Sequence, residues 1–228
     1  MKLEDLPTPC LVLELGILKR NLARMADAVA RHPGLKLRPH MKTAKSLAVA
    51  ALAAPNHGPI TVSTIAEARY FAGGGYRDQI YAVGITPQKL AAIAAINAQG
   101  NDVKIITDDL EVASAIAAHP GILPTLIEVD CGEGRGGIAP DSAVLAEIAQ
   151  RLGARCAGIM THAGHSYAER NEDGMRKIAE AERAGAVLAA ERLRGMGITP
   201  RVVSAGSSPT ALYGQSMAGI TDIRAGVY

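Results

Sequence analysis

Eight short apolar runs, most of them separated by a stretch with helical spacing, restrict this chain to a narrow set of folds. The runs are Leu35–Arg38, Ile60–Ser63, Gln79–Val83, Val103–Thr107, Pro124–Val129, Cys156–Thr161, Arg201–Ser204 and Ile220–Arg224. Between them lie helical segments at Thr43–Ala54, Ile65–Gly73, Pro87–Asn97, Leu110–Ala118, Ser142–Leu152 and roughly Glu172 to Arg194. Strand followed by helix, repeated, implies a parallel sheet, because parallel neighbours need a crossover and the crossing helices cover the sheet. Eight such strands predict an α/β fold of the (β/α)8 TIM-barrel type rather than an open sheet. Ahead of the first unit, Thr8-Pro9-Cys10-Leu11-Val12-Leu13 reads as a further short strand. A helix from about Glu14 to Arg31 puts Leu15, Leu18, Leu22, Met25 and Val29 on one face. Asp108-Asp109 and Pro140-Asp141 mark helix starts, and Gly73-Gly74-Gly75, Gly100 and Gly153 mark helix stops. No linker or low-complexity segment divides residues 1–228, so they read as one domain.

Composition removes several function classes. Net charge is +2, and no basic stripe with interleaved aromatics occurs, so nucleic acid is not an expected partner. The longest apolar run, Leu47 to Pro55, is too short to span a bilayer, and Met1-Lys2-Leu3-Glu4-Asp5 lacks an apolar signal core. A cytoplasmic protein without a membrane partner is expected. Cys10, Cys131 and Cys156 are widely spaced and read as small buried residues, not as a disulfide framework or thiolate metal site. His32, His57 and His119 sit in apparent loops and read as surface residues.

In such a barrel, chemistry collects where strands end and loops begin. The first strand ends in Pro39-His40, and Lys42 comes next in a cluster with Arg38 and Lys45. A lysine there suits capture of an aldehyde cofactor as a Schiff base. That reaction needs a partly deprotonated amine, which neighbouring cations or desolvation favour. Ser63-Thr64 follow strand 2, while strands 3 and 4 end in little beyond Gly84 and Thr107. Strand 5 runs into Asp130-Cys131-Gly132-Glu133-Gly134-Arg135-Gly136-Gly137, a loop flexible enough to turn Arg135 inward. Strand 6 leads to His162 and His165. As a metal pair they would need a third ligand, and none is evident nearby, so contact with a cofactor is the favoured reading. After strand 7, Gly206, Ser207, Ser208 and Thr210 suit either a phosphate site or a helix N-cap, and the placement favours phosphate.

Five stretches together resemble one family. They are Thr8–Leu13, Arg38-Pro39-His40-Met41-Lys42-Thr43-Ala44-Lys45, Glu128–Gly137, Thr161–Tyr167 and Arg224-Ala225-Gly226-Val227-Tyr228. In content and order they are similar to the D-threonine aldolase/D-serine dehydratase family, pyridoxal-phosphate enzymes with an alanine-racemase-like N-terminal barrel. The resemblance implies that Lys42 carries the cofactor and acts in catalysis, and that Arg135 faces the pyridine nitrogen. It implies that Gly206, Ser207 and Tyr228 bind the phosphate, with Ser208 as a further candidate, and that Gly226 belongs to the cofactor site. It also implies that His40, His162 and Tyr167 line the cofactor or substrate side, with His162 catalytic. A permanently protonated arginine leaves the ring nitrogen unprotonated, so the ring is a weaker electron sink. Two departures stand out. Ala44 replaces an expected histidine, and the family's C-terminal β-rich domain, which carries a divalent-metal site for Mn²⁺, Mg²⁺ or Zn²⁺, is absent from these 228 residues. The chain is therefore expected to be the barrel portion of a longer enzyme or a truncated gene product, with no metal site of its own. A homodimer is possible.

The function implied is a lyase acting on β-hydroxy D-amino acids, either by retro-aldol cleavage or by dehydration after removal of the Cα proton. Two alternatives are a racemase, which shares the first proton removal, and a non-catalytic, single-domain cofactor-binding homeostasis protein of about this length.

Overall fold

The structure, a computed structural model, describes residues 2–227. Its strands are β1 (Lys36–Pro39), β2 (Ile60–Val62), β3 (Asp78–Gly84), β4 (Asp102–Thr107), β5 (Thr125–Val129), β6 (Cys156–Thr161), β7 (Val202–Ala205) and β8 (Asp222–Ala225). The helices are α1 (Leu15–Ala30), α2 (Leu47–Ala53), α3 (Ile65–Gly73), α4 (Leu90–Asn97), α5 (Leu110–Ala118), α6 (Ala143–Leu152), α7 (Glu172–Gly195) and α8 (Ser208–Tyr213). All strand pairs are parallel, in the order β1-β8-β7-β6-β5-β4-β3-β2. The last gap, between β1 and β2, is spanned by a parallel bridge from His40 to Thr61, with Met41 N donating to Thr61 O at 2.8 Å. The expected (β/α)8 barrel is thus present, nearly closed, and it closes beside Lys42.

Alternation of side chains along each strand sorts residues between the barrel interior and the helix-facing layer. Met25, Ile60, Phe71, Ile93, Ile105, Ile127, Ile148, Ile159 and Val203 belong to the large outer core beneath the helices. Ile80, Ile106, Leu126, Ala157, Met160 and Val202 form a smaller separate cluster. Continuing β3, β4, β5 and β6 in steps of two from that cluster reaches Ala82, Asp108, Glu128 and His162. The same spacing on β1 and β8 aligns Arg38 with His40 and Lys42, and Asp222 with Arg224 and Gly226.

The helix ends obey local chemistry. Ser46, Thr64, Asp109, Ser142 and Asn171 each cap a helix through a side-chain oxygen that accepts a backbone N–H. Gly74 and Gly153 terminate α3 and α6.

Several expectations need correction. Thr8–Leu13 forms no strand, and Leu11 is 101% exposed. With β8 on one side of β1 and the β2 bridge on the other, the barrel offers this segment no free edge. The helix expected from Thr43 begins only at Leu47, because Lys45 takes a left-handed φ of 46° and Ser46 is the N-cap of α2. The start assigned to Pro140-Asp141 falls at Ser142, whose side chain accepts from Val144 N. Cys10 is exposed and Cys131 only partly buried; Cys156 alone of the three is buried. His32 and His119 are partly buried, while His57 is exposed.

Candidate active site

The strand ends converge on two cavities. The larger, about 420 Å³, is bounded by His40, Lys42, Ser63, Asp108, Glu128 and Arg135, together with Met160, His162 and Arg224. The smaller, about 90 Å³, is bounded by Tyr167, Gly206, Ser207, Ala225, Gly226 and Val227. His40, Lys42, His162 and Arg224 line both.

The two histidines have defined proton positions. His40 Nδ1 accepts from Lys42 N at 3.3 Å, so its proton sits on Nε2, 3.4 Å from Ser63 Oγ. His162 Nδ1 lies 2.8 Å from Gly206 O; a carbonyl only accepts, so here Nδ1 carries the proton and Nε2 is the open acceptor. Burial, then the charges of Lys42 and Arg224, push His40 from 6.5 down to about 3. Burial and Arg224 push His162 down to about 4. Both rings are neutral at pH 7.

These environments make stability depend on pH. The unfolded chain takes up protons on these imidazoles below the ordinary value of 6.5, before the folded protein does. Stability therefore falls as pH drops from 6.5 toward about 4. Histidine C2–H resonances assigned by His40→Gln and His162→Gln should titrate below pH 5 in the folded protein. A midpoint near 6.5 for either would contradict this environment.

Around the smaller cavity, backbone donors meet side-chain oxygens. Ser208 N donates to Tyr167 Oη at 3.1 Å, and Ser208 Oγ accepts from Val227 N at 2.9 Å and Gly226 N at 3.3 Å. Two hydroxyl oxygens thus occupy acceptor positions that the oxygens of an anion could take. Gly206 has φ +123°, and a Cβ there would lie 2.5 Å from Arg224 O, so the close approach requires glycine. Ser207 is the N-cap of α8 in a reciprocal pair with Thr210, and its hydroxyl lies 2.7 Å from Ser166 Oγ. Ser207 is thus the helix cap and, with Gly206, also lines the smaller cavity. Tyr228 lies outside the described residues.

Arg135 reaches the larger cavity from its rim, 61% exposed and 3.4 Å from Glu133. Asp130 accepts from the N–H groups of Gly132, Glu133 and Gly134, which holds that loop in shape. Asp108 accepts from Gly137 N at 2.8 Å and closes the loop onto β4. Burial, reinforced by Asp108, raises the Glu128 carboxyl above its ordinary range.

The cations expected around Lys42 are placed otherwise. Arg38 lies deeper in the barrel, bonded to Asp222 and Asp78, and Lys45 lies 3.6 Å from Glu67. The cation that does share both cavities with Lys42 is Arg224. Sequence reasoning also passed over Asp108 and Glu128 as cavity residues; each stands two residues after an interior residue of its strand, Ile106 and Leu126. Glu182 carried no such signal. It sits in a charged helix yet is 1% exposed, and Oε1 accepts from both Ala163 N and Gly206 N at 2.9 Å. Its Oε2 accepts from Thr210 Oγ1 at 2.7 Å. Glu182 thus staples the loops after β6 and β7. His165 Nδ1 is buried without a hydrogen-bond partner, and no group of three metal-binding side chains gathers among the described residues. No helix among those residues is long and apolar enough to cross a membrane.

Comparison with known proteins bears on this geometry. A model of the alanine racemase N-terminal domain matches residues 13–228. The D-threo-3-hydroxyaspartate dehydratase of Delftia sp. (strain HT23) is 41% identical, over 98% of this chain and 61% of that protein. Its solved structure superposes with a TM-score of 0.93 at 40% identity, again covering 98% of this chain and 61% of that one. The 3-hydroxy-D-aspartate aldolase of Paracoccus denitrificans (strain Pd 1222) is 31% identical, over 98% of this chain and 60% of that protein. The chain therefore spans less than two thirds of the length of these relatives.

Proposed function

This chain belongs to the alanine racemase N-terminal-domain family, and from that premise we propose that it is the pyridoxal-phosphate-binding barrel of a lyase for β-hydroxy D-amino acids. The observation that carries the reading is Lys42 on the wall shared by a polar cavity and a small anion-sized one. A phosphate-bearing aldehyde fits that pair. Lys42 would hold the aldehyde carbon. Gly206, Ser207, Ser208 and Gly226 would hold the phosphate, with Tyr167 and Ser208 giving up the backbone N–H groups they now occupy. Arg135 is the family-based partner for the ring nitrogen, and the burial of Arg224 between the two cavities makes it a second candidate.

Bound there, the cofactor supplies an electron sink for the bond broken at Cα. The protein's own groups set the rest. Lys42 Nζ, on the wall of both cavities, would take or return a proton at Cα. Neutral His162 offers its Nε2 lone pair and so orients a donor without adding charge. His40 ties its ring to the Lys42 backbone and fixes the turn that presents the lysine. Glu128, whose carboxyl burial raises above its ordinary range, is the lining group suited to give a proton to a departing β-hydroxyl.

The names of both relatives share 3-hydroxyaspartate of D configuration. The cations Arg135 and Arg224 suit a substrate with a second carboxylate. Product analysis with the full-length protein tests this. Dehydration of D-threo-3-hydroxyaspartate gives oxaloacetate and ammonia, whereas retro-aldol cleavage gives glycine and glyoxylate. Either product pair, at a higher kcat/KM than for D-threonine or D-serine, supports the reading. Turnover of none of the three refutes it.

A further inference from the structure

Arg224 is 4% exposed, yet it lines both cavities. Its Nη2 donates to the Thr161 carbonyl, and its Nη1 donates to Ser204 Oγ at 2.7 Å. A guanidinium only donates, so Ser204 must accept, and its one proton goes to Asp222 Oδ1. The same Asp222 oxygen accepts from Arg38 Nε at 3.2 Å. Arg38 is held in turn by Asp78 at 2.8 Å and by the Ile60 carbonyl at 3.3 Å. The polarity of this chain of hydrogen bonds, from the deeper barrel interior to the cavity wall, is therefore fixed throughout.

The register of the sheet builds it. Ser204 and Asp222 are paired across β7 and β8, and Arg224 stands two residues further along the same face. The arrangement differs from an ordinary buried ion pair. Arg38 contacts carboxylates directly, but between Arg224 and Asp222 a neutral hydroxyl intervenes. Among the described residues, the remaining three N–H donors of Arg224 meet no protein acceptor. Hydrogen bonds anchor one edge of the guanidinium and none holds the other, while the carboxylates of Glu182, Asp222 and Glu128 act on its charge from a distance.

We propose that Ser204 and Asp222 are positioning residues for the reaction, holding Arg224 so that its uncommitted edge presents a fixed positive charge to the cofactor and substrate. The role rests on the proposed lyase function, but its structural half does not.

Two readouts in the full-length protein test it. In cofactor-free protein, nitrogen-15 NMR should show slowly exchanging, non-averaged Nη protons for Arg224, assigned by Arg224→Lys. Ser204→Ala should collapse them to an averaged, fast-exchanging signal. In the loaded enzyme, Ser204→Ala should lower kcat on the order of tenfold with little change in KM, the scale of one charge-assisted hydrogen bond. Ser204→Thr, which restores the hydroxyl, should recover both. Asp222→Asn, which keeps shape and removes charge, gives the same two readouts if Ser204→Ala does not fold. An unchanged Arg224 signal in the alanine variant overturns the relay. A collapsed signal with unchanged kcat overturns its role in the reaction. If the wild type has no lyase activity, the functional reading fails, while the NMR result still decides the relay.

Discussion

Lys42→Ala in the full-length protein is expected to lower kcat by more than about 10³-fold, the range for losing a positioned proton-transfer group. The loss should exceed that of any other single change in the cavity, because Lys42 is assigned two roles, holding the cofactor and moving the Cα proton. Neighbours cannot replace it. Arg38 and Lys45, close in sequence, are committed to Asp222, Asp78 and Glu67. Arg224 shares the cavities but is a guanidinium, effectively never deprotonated and so no nucleophile. The fold should survive, since Lys42 makes no side-chain hydrogen bond or ion pair among the described residues. Steady-state kinetics, with an unfolding curve as control, checks both parts. Activity within tenfold of wild type would remove Lys42 from the mechanism.

Glu182→Ala should produce the largest loss of stability. One carboxylate satisfies two backbone N–H groups and the Thr210 hydroxyl, all in buried surroundings. Removing it strands all three and leaves a void, a cost of about 3 to 5 kcal/mol. Glu182→Gln keeps an acceptor for Ala163 and Gly206 and should cost about 1 kcal/mol, one ordinary hydrogen bond. Urea unfolding at pH 7 measures the difference. Equal destabilisation by the two variants would mean that the charge of Glu182, and not its acceptor geometry, supports the loops. The alanine variant should also weaken cofactor binding, because the same oxygen anchors Gly206 and the residue after His162.

The strands and the rim residues were legible because both obey short-range rules. β5 and β6 are largely apolar runs that lead into Asp130 and His162, so position along the strand points to the loops at the rim, although Asp108 and Glu128 were passed over. Asp109 was found as a cap from a polar pair ahead of an apolar helix, whereas the starts read at Thr43 and Pro140-Asp141 passed over the caps Ser46 and Ser142. What escaped depends on partners distant in sequence. Thr8–Leu13 has strand-forming residues but no edge to join, which only the closed sheet reveals. Arg38 and Lys45 flank Lys42 in sequence, yet the barrel turns one toward Asp222 and the other toward Glu67. Glu182 looks like one more charge on a solvated helix until α7 packs it against the β6 and β7 loops. Arg224 was visible only as part of a motif. Its importance comes from the sheet register that sets it beside Ser204 and between two cavities.

The central claim is that Lys42 holds pyridoxal phosphate, and one chemical experiment tests it directly. The purified full-length protein is mixed with pyridoxal phosphate, reduced with borohydride, digested and mapped by mass spectrometry. The account predicts a visible absorption band before reduction and a single stoichiometric label on the Lys42 peptide, both absent in Lys42→Ala. Label scattered over Lys19, Lys45, Lys89 and other surface lysines, or no band, would mean that this barrel does not hold the cofactor at Lys42.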